Sequence, residues 1–194
     1  MRLRQAEMAV LHRNPDKNMK AANLNFSKLR SFSAAEWPCG IWNEKEEMIS
    51  ADSVLEEMDA LIVLLLNRLR NSLPASYAIY PSPVPRAHVR YENGRGRHYL
   101  CRGKRRSDAT DFFMSWAHVW LAWQEAQRIL EIGGIGLYLD TEYDGRITPM
   151  LHIDAREKRL LWVSVVEKRK RIYVFHESEP VRFHQIIAKY GRVS

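Results

Sequence analysis

A chain of 194 residues with 46% hydrophobic and 27% charged residues is long enough for one packed domain and too apolar for wholesale disorder. A formal charge of +7 and a pI near 9.5 suit a polyanionic partner, either nucleic acid or an anionic cell-wall polymer, without choosing between them. The two cysteines, Cys39 and Cys101, cannot make a disulfide framework, and the most apolar run, residues 60–66, is far too short to span a bilayer, so no membrane partner is expected.

The N-terminal stretch is charged and has no uninterrupted apolar segment. It does not read as a secretory signal, and synthesis in the cytoplasm without a signal peptide is expected. Residues 1–30 read as an N-terminal arm or short helix, and 31–194 as one domain. Ser53-Val54-Leu55-Glu56 has the form of a capping box, and apolar residues follow it at helical spacing through Leu69, which predicts a helix over 53–70. Tyr77-Ala78-Ile79-Tyr80, bounded by Pro74 and Pro81, predicts a strand. Residues 81–107, rich in proline, glycine and basic side chains, predict a long irregular loop, the kind of loop that carries function in a compact domain.

Ala109-Thr110-Asp111-Phe112-Phe113 predicts a strand. A helix is expected from Ser115, with Trp116, Val119, Trp120, Trp123 and Leu130 on one broad face and a stop at Gly133-Gly134. Strands are expected at 135–139, 150–155, 160–166 and 171–175. Tyr143-Asp144-Gly145 reads as a turn, Glu167-Lys168-Arg169-Lys170 as a hairpin tip, and 180–190 as a final helix. Short links between the late strands imply antiparallel pairing. The fold class is therefore α+β, a small antiparallel sheet flanked by helices.

Several motifs are weak on inspection. Gly133-Gly134-Ile135-Gly136 follows a helix and precedes a strand, the reverse of a dinucleotide-binding turn, and reads as a helix stop. The tryptophan stripe at helical spacing reads as core. Arg95, Arg97, Arg102, Lys104, Arg105 and Arg106 could grip phosphates, but no aromatic interleaving or helix-turn-helix spacing accompanies them. Nucleic acid therefore remains a possible partner without a fold signature. Ser82 and Ser107 lie in no nucleophile elbow. His98 in the loop, Asp111 on a strand and His152 on a later strand have the chemistry of a three-ligand zinc set with a fourth position for water, though spacing alone would not select them.

The order of short motifs over residues 24–165 resembles the zinc D-Ala-D-Ala carboxypeptidase family, which includes phage L-alanyl-D-glutamate endopeptidases. Phe32-Ser33-Ala34-Ala35-Glu36-Trp37-Pro38-Cys39 is similar to that family's "F-S-x-x-E-F-x-C", and Leu66-Asn67-Arg68-Leu69-Arg70 to its "L-x-x-L-R". Ile79-Tyr80-Pro81-Ser82 followed by Val89-Arg90 resembles the strand and arginine lining its site. His98 with Ala109-Thr110-Asp111 resembles "H…A-x-D", Gly134-Ile135-Gly136-Leu137-Tyr138 resembles "G-I-G-x-Y", and Leu151-His152-Ile153-Asp154-Ala155-Arg156 resembles "H-x-D-x-R".

The resemblance implies a DD-peptidase-like fold and zinc held by His98, Asp111 and His152. It gives Arg90 the role of polarising the scissile carbonyl. It also implies hydrolysis of a peptide bond beside a D-amino acid in peptidoglycan stem peptides, at the cell wall or in a phage particle. Three departures stand out. The family's tight spacing would place Lys104 at the first histidine and Ser107 at a glycine, Gly96 replaces a serine, and Pro149 occupies the position where many members carry the general base. Asp154 is then the nearest candidate base, with Glu142 and Asp144 behind it. An inactive relative serving as a phage structural or binding module is the alternative these departures suggest.

Overall fold

The computed structural model describes residues 19–37, 39–42, 47–77, 80–81, 97–98, 106–143 and 145–191. In chain order these form strands β1 (Cys39–Trp42) and β2 (Met48–Ser53), helix α1 (Ala60–Ser72), β3 (Tyr80–Pro81), β4 (Ala109–Phe113) and helix α2 (Trp116–Arg128). Then follow β5 (Gly134–Tyr143), β6 (Arg146–Asp154), β7 (Leu160–Glu167), β8 (Lys170–Phe175) and helix α3 (Pro180–Gly191). The class is α+β, as the element pattern predicts. Strands β1 and β2 make a small antiparallel pair, and the other six form one sheet in the order β3-β4-β6-β5-β7-β8.

The expectation of a purely antiparallel sheet needs correction, because β5 and β7 run parallel. The β5–β6 hairpin closes at Gly145, whose φ of 69° suits a residue without Cβ. Residues 155–159 then carry the chain past the start of β5 to its other side, spanning two strand spacings of roughly 4.8 Å each. So short a link resembles a hairpin connection in sequence. It enters β7 beside Gly134, where Gly133 donates its N–H to the Asp154 carbonyl at 2.9 Å and accepts from Leu160 at 2.8 Å. The crossing chain lies so close that a methyl group on Gly133 would stand 1.7 Å from the Arg156 carbonyl oxygen.

Strand alternation divides the sheet into two faces. Phe112, Ile135, Leu137, Leu151, Ile153, Val163, Val165 and Val174 belong to a core shared with Ile62, Leu65, Leu66 and Leu69 of α1, Val119, Ala122 and Trp123 of α2, and Phe183 and Ile186 of α3. Burying each such large side chain contributes about 1.5–3 kcal/mol, so this face holds the helices on the sheet. The residues of opposite parity, Asp111, Gly134, Gly136, Tyr138, His152, Asp154 and Trp162, share the other face.

Helix α1 begins later than its sequence suggests. Ser53 does cap a turn, accepting from the Leu55 N–H at 3.3 Å, but that turn is a single 3-10 turn over Val54–Glu56. The next residues are drawn into other pairings, with Met58 bridging to Ser107 and Asp59 to Lys20. The helix then starts afresh at Ala60, capped by Asp59, whose side chain accepts from the Leu61 N–H at 2.9 Å. Of the strand expected at 77–80, Tyr80 lies in β3, Ala78 and Ile79 lie outside the described residues, and Tyr77 stacks on His118, ring centroids 3.7 Å apart.

The tryptophan stripe of α2 is core, as read: Trp123 is buried, while Trp116 and Trp120 pack against its edge. Leu130 falls beyond the helix and is 84% exposed, so it does not belong to that face. The helix end is closed from a distance. The Arg159 guanidinium donates to the carbonyls of Gln127 (2.6 Å), Ile129 (3.2 Å) and Ile132 (2.9 Å), placing a cation at the carbonyl end of the helix. The predicted hairpin tip tightens to Lys168-Arg169, both with positive φ (48° and 65°), the geometry that a two-residue turn between twisted strands demands. Residues 19–28, within the expected arm, form two 3-10 turns, and the buried Ala21 joins the core. Among the described residues no helix is long and apolar enough to cross a membrane.

Candidate metal centre

Strands β4 and β6 pair in a register that sets Asp111 directly opposite His152, on the face away from the helices. Cross-strand partners lie close enough for their side chains to meet, so the register itself brings the carboxylate to the imidazole. His152 Nδ1 is 2.8 Å from Asp111 Oδ1. His98, from the loop preceding β4, completes a triangle: its Nε2 is 3.0 Å from His152 Nδ1 and 3.3 Å from Asp111 Oδ1. The two imidazole rings meet edge-on at 74°.

The other edge of His152 defines which nitrogen faces the triangle. Its Nε2 lies 3.0 Å from Asp154 Oδ2, a carboxylate that only accepts, so Nε2 carries a hydrogen and donates it. Nδ1 faces Asp111, donating a hydrogen to that carboxylate when His152 is protonated and offering a lone pair once a cation takes the proton's place. Asp154 is fully buried and is held in turn by Arg156, whose Nε lies 2.7 Å from Oδ1 and whose second nitrogen also reaches the carboxylate. Arg156 further lies over the Trp162 ring, 5.3 Å from its centroid.

Electrostatics follow this arrangement. Burial would raise the carboxyl of Asp111, but the charge of His98 and hydrogen bonds from both histidines hold it well below the usual carboxylate range. Burial would lower His152, yet the hydrogen bonds and charges of Asp111 and Asp154 outweigh that and raise it to about 9. Asp154 is likewise held low against its burial, by His152 and Arg156. The site demands positive charge at its centre, and either a proton on His152 or a cation between the three ligands supplies it.

The triangle fits a metal ion. Tetrahedral coordination with bonds of about 2.0–2.1 Å places ligand atoms roughly 3.3 Å apart. The three edges here, 2.8, 3.0 and 3.3 Å, approach that value from below. The donor set of two imidazole nitrogens and one carboxylate oxygen is one that divalent metals accept, and the His98–Asp111–His152 cluster could hold such an ion. The side chains of His98 and Asp111 keep 15% and 12% exposure against 6% for His152, so solvent reaches the cluster from their side.

Two glycines make room for this arrangement. Gly136 stands opposite His152 on β5 and beside Trp162 on β7. A methyl group there would lie 2.3 Å from the Trp162 ring, whose centroid is 5.0 Å from that of His152. At Gly134 a methyl would lie 2.2 Å from Asp154 Oδ2. Gly134 and Gly136 in "G-I-G" are therefore spaces for Asp154 and for the indole that walls His152. A glycine on alternate positions of a strand signals such close approach, although the sequence does not say what approaches.

The remaining sequence candidates fall elsewhere. Asp154 lies behind the imidazole, on Nε2 rather than on the ligand side. Pro149, three residues before His152 on a regular strand, belongs to the opposite face of the sheet. Glu142 is exposed and pairs with Ile147, five positions or roughly 17 Å along β6 from His152. Arg90, Gly96, Lys104 and Asp144 lie outside the described residues, as do Ser82, Arg95, Arg102 and Arg105. Of the basic loop, Arg97 pairs with Asp108 at 2.8 Å, and Arg106 donates to the Glu56 carbonyl at 2.7 Å; both spend their charge on internal contacts. Comparison of the chain with known protein families, with curated proteins and with solved structures finds no match.

Proposed function

We propose that this chain is a zinc-dependent peptidase that hydrolyses a peptide bond beside a D-amino acid in peptidoglycan stem peptides, acting at the cell wall or from a phage particle. The observation that carries the reading is the triangle of His98 Nε2, Asp111 Oδ1 and His152 Nδ1, whose edges of 2.8–3.3 Å suit a tetrahedral ion. The ordered motif resemblance supports the choice of zinc and of substrate. Zinc in a two-histidine, one-carboxylate setting supplies a polarised carbonyl and a water whose pKa falls to about 7.

The chain's own residues prepare that chemistry. Asp111 supplies the negative charge that favours a dication. Asp154 orients His152 by accepting from Nε2 and thereby leaves Nδ1 free to ligate, the role carboxylates commonly play behind metal-bound histidines. In this reading Asp154 is a positioning residue rather than the base, and Arg156 fixes its carboxylate. Elemental analysis of the purified chain should find one zinc per molecule, and incubation with peptidoglycan should release amino groups. Asp154→Asn should lower zinc affinity about 10–100-fold. Wild-type protein without zinc would overturn the reading.

A second reading is favoured by one observation. The position three residues before His152, where a base would stand, is Pro149 on the opposite face, and Asp154 is committed to His152 and Arg156. A relative that holds the metal without hydrolysing, and serves as a structural or binding module, fits that arrangement. Stoichiometric zinc with no release of amino groups from peptidoglycan would select it.

A further inference from the structure

Three chain segments carry the ligands, and one residue outside the triangle touches all of them. Asp108 immediately precedes β4 and stands three positions before Asp111. Its carboxylate pairs with Arg97, the neighbour of His98, at 2.8 Å, and its N–H donates to the Arg97 carbonyl at 3.3 Å. Its own carbonyl accepts from the Ala155 N–H at 3.0 Å, just past Asp154 and three residues after His152. The ion pair is shielded, with 25% exposure on the Arg97 side chain and 13% on Asp108. Ser107, next in line, ties the same junction to the chain before α1: its N–H donates to the Glu57 carbonyl at 3.1 Å, and its carbonyl accepts from Asp59 at 2.8 Å.

We infer that Asp108 is a positioning residue of the metal centre, one that locks the His98 segment to β4 and β6 through Arg97 so that the three ligand atoms converge. The inference rests on the metal reading above. Its physical basis is a division of labour within one residue. The backbone of Asp108 joins β4 to β6 and reaches the Arg97 carbonyl whatever its side chain, whereas the carboxylate grips the Arg97 guanidinium. The carboxylate also neutralises a guanidinium adjacent in sequence to His98, and an unpaired cation there would oppose a dication. Asp108→Asn removes the grip and the charge while keeping the size of the side chain and the backbone bonds. The sheet is expected to survive, with His98 less well placed.

The test is titration of the metal-free full chain with Co(II), followed by visible absorption and by chelator competition, alongside thermal melting of the metal-free form. Wild type should take up one equivalent with the spectrum of a low-coordinate site. Asp108→Asn and Asp108→Ala should bind about 10–100-fold more weakly, the range typical of lost outer contacts to metal ligands, with little change in metal-free melting. The reversed pair, Arg97→Asp with Asp108→Arg, should recover much of the affinity. Wild-type affinity in Asp108→Asn, or weakening that follows an equal loss of the metal-free fold in both single variants, overturns the inference and leaves the metal reading intact. A wild-type chain that takes up no Co(II) overturns both.

Discussion

Substituting His152 by alanine is expected to leave the purified chain without stoichiometric zinc and to reduce release of amino groups from peptidoglycan to background. The imidazole is the hinge of the site. One nitrogen belongs to the triangle with His98 and Asp111, and the other is committed to Asp154. Truncation therefore removes one of the three candidate ligands and also strips a fully buried carboxylate of one of its two side-chain partners, which should cost about 1–3 kcal/mol in the metal-free protein. His184→Ala is the matching control. That residue lies on α3 beside His176 and Phe183, remote in the fold from the β4–β6 register, and its loss should leave zinc content unchanged. Equal zinc in wild type and His152→Ala, measured by elemental analysis after dialysis, would show that any bound metal sits somewhere else.

Gly136→Ala should destabilise the protein by roughly 1–3 kcal/mol, the usual cost of overpacking. It should also weaken zinc binding, because the added methyl would stand 2.3 Å from Trp162, which cannot retreat without moving away from His152. Urea unfolding gives the first quantity, and indole fluorescence together with zinc competition gives the second. Gly145→Asn provides the contrast. Its φ of 69° is one that asparagine adopts, and nothing lies within 4 Å of a Cβ there, so the change should be far milder. If Gly136→Ala melts like wild type, the indole is not confined as described.

The strands of the second half were legible because each is a short run of aliphatic, β-branched and aromatic residues between turn signals, a local pattern that the sheet then uses directly. The start of α1 was not. Ser53 to Glu56 has the same form whether it opens an α-helix or a single 3-10 turn, and what ends the turn is pairing of Met58 and Asp59 with Ser107 and Lys20, far away in sequence. The parallel β5–β7 pair was hidden for a similar reason: residues 155–159 are short enough to suggest a hairpin, and only the chain's passage over Gly133 shows otherwise. At the site, residue type named His98, Asp111 and His152 as possible ligands, and the motif order singled them out. Which nitrogen of His152 faces them, and that Asp154 stands behind the ring, depend on register and could not be read from spacing. Asp108 carried no sequence signal at all, since an acidic residue before a strand is ordinarily solvated.

The separation of the ligands along the chain has a consequence for the order of assembly. His152 reaches Asp111 across 41 positions and His98 across 54. Among the described residues the three candidate ligands come from separate segments, and this cluster does not exist until β6 has emerged and zipped against β4. A metal bound at this cluster would therefore close a finished structure instead of seeding it. Its presence should slow unfolding and raise the melting temperature in step with free concentration, by mass action on the native state, while refolding from denaturant proceeds at the same rate with or without it.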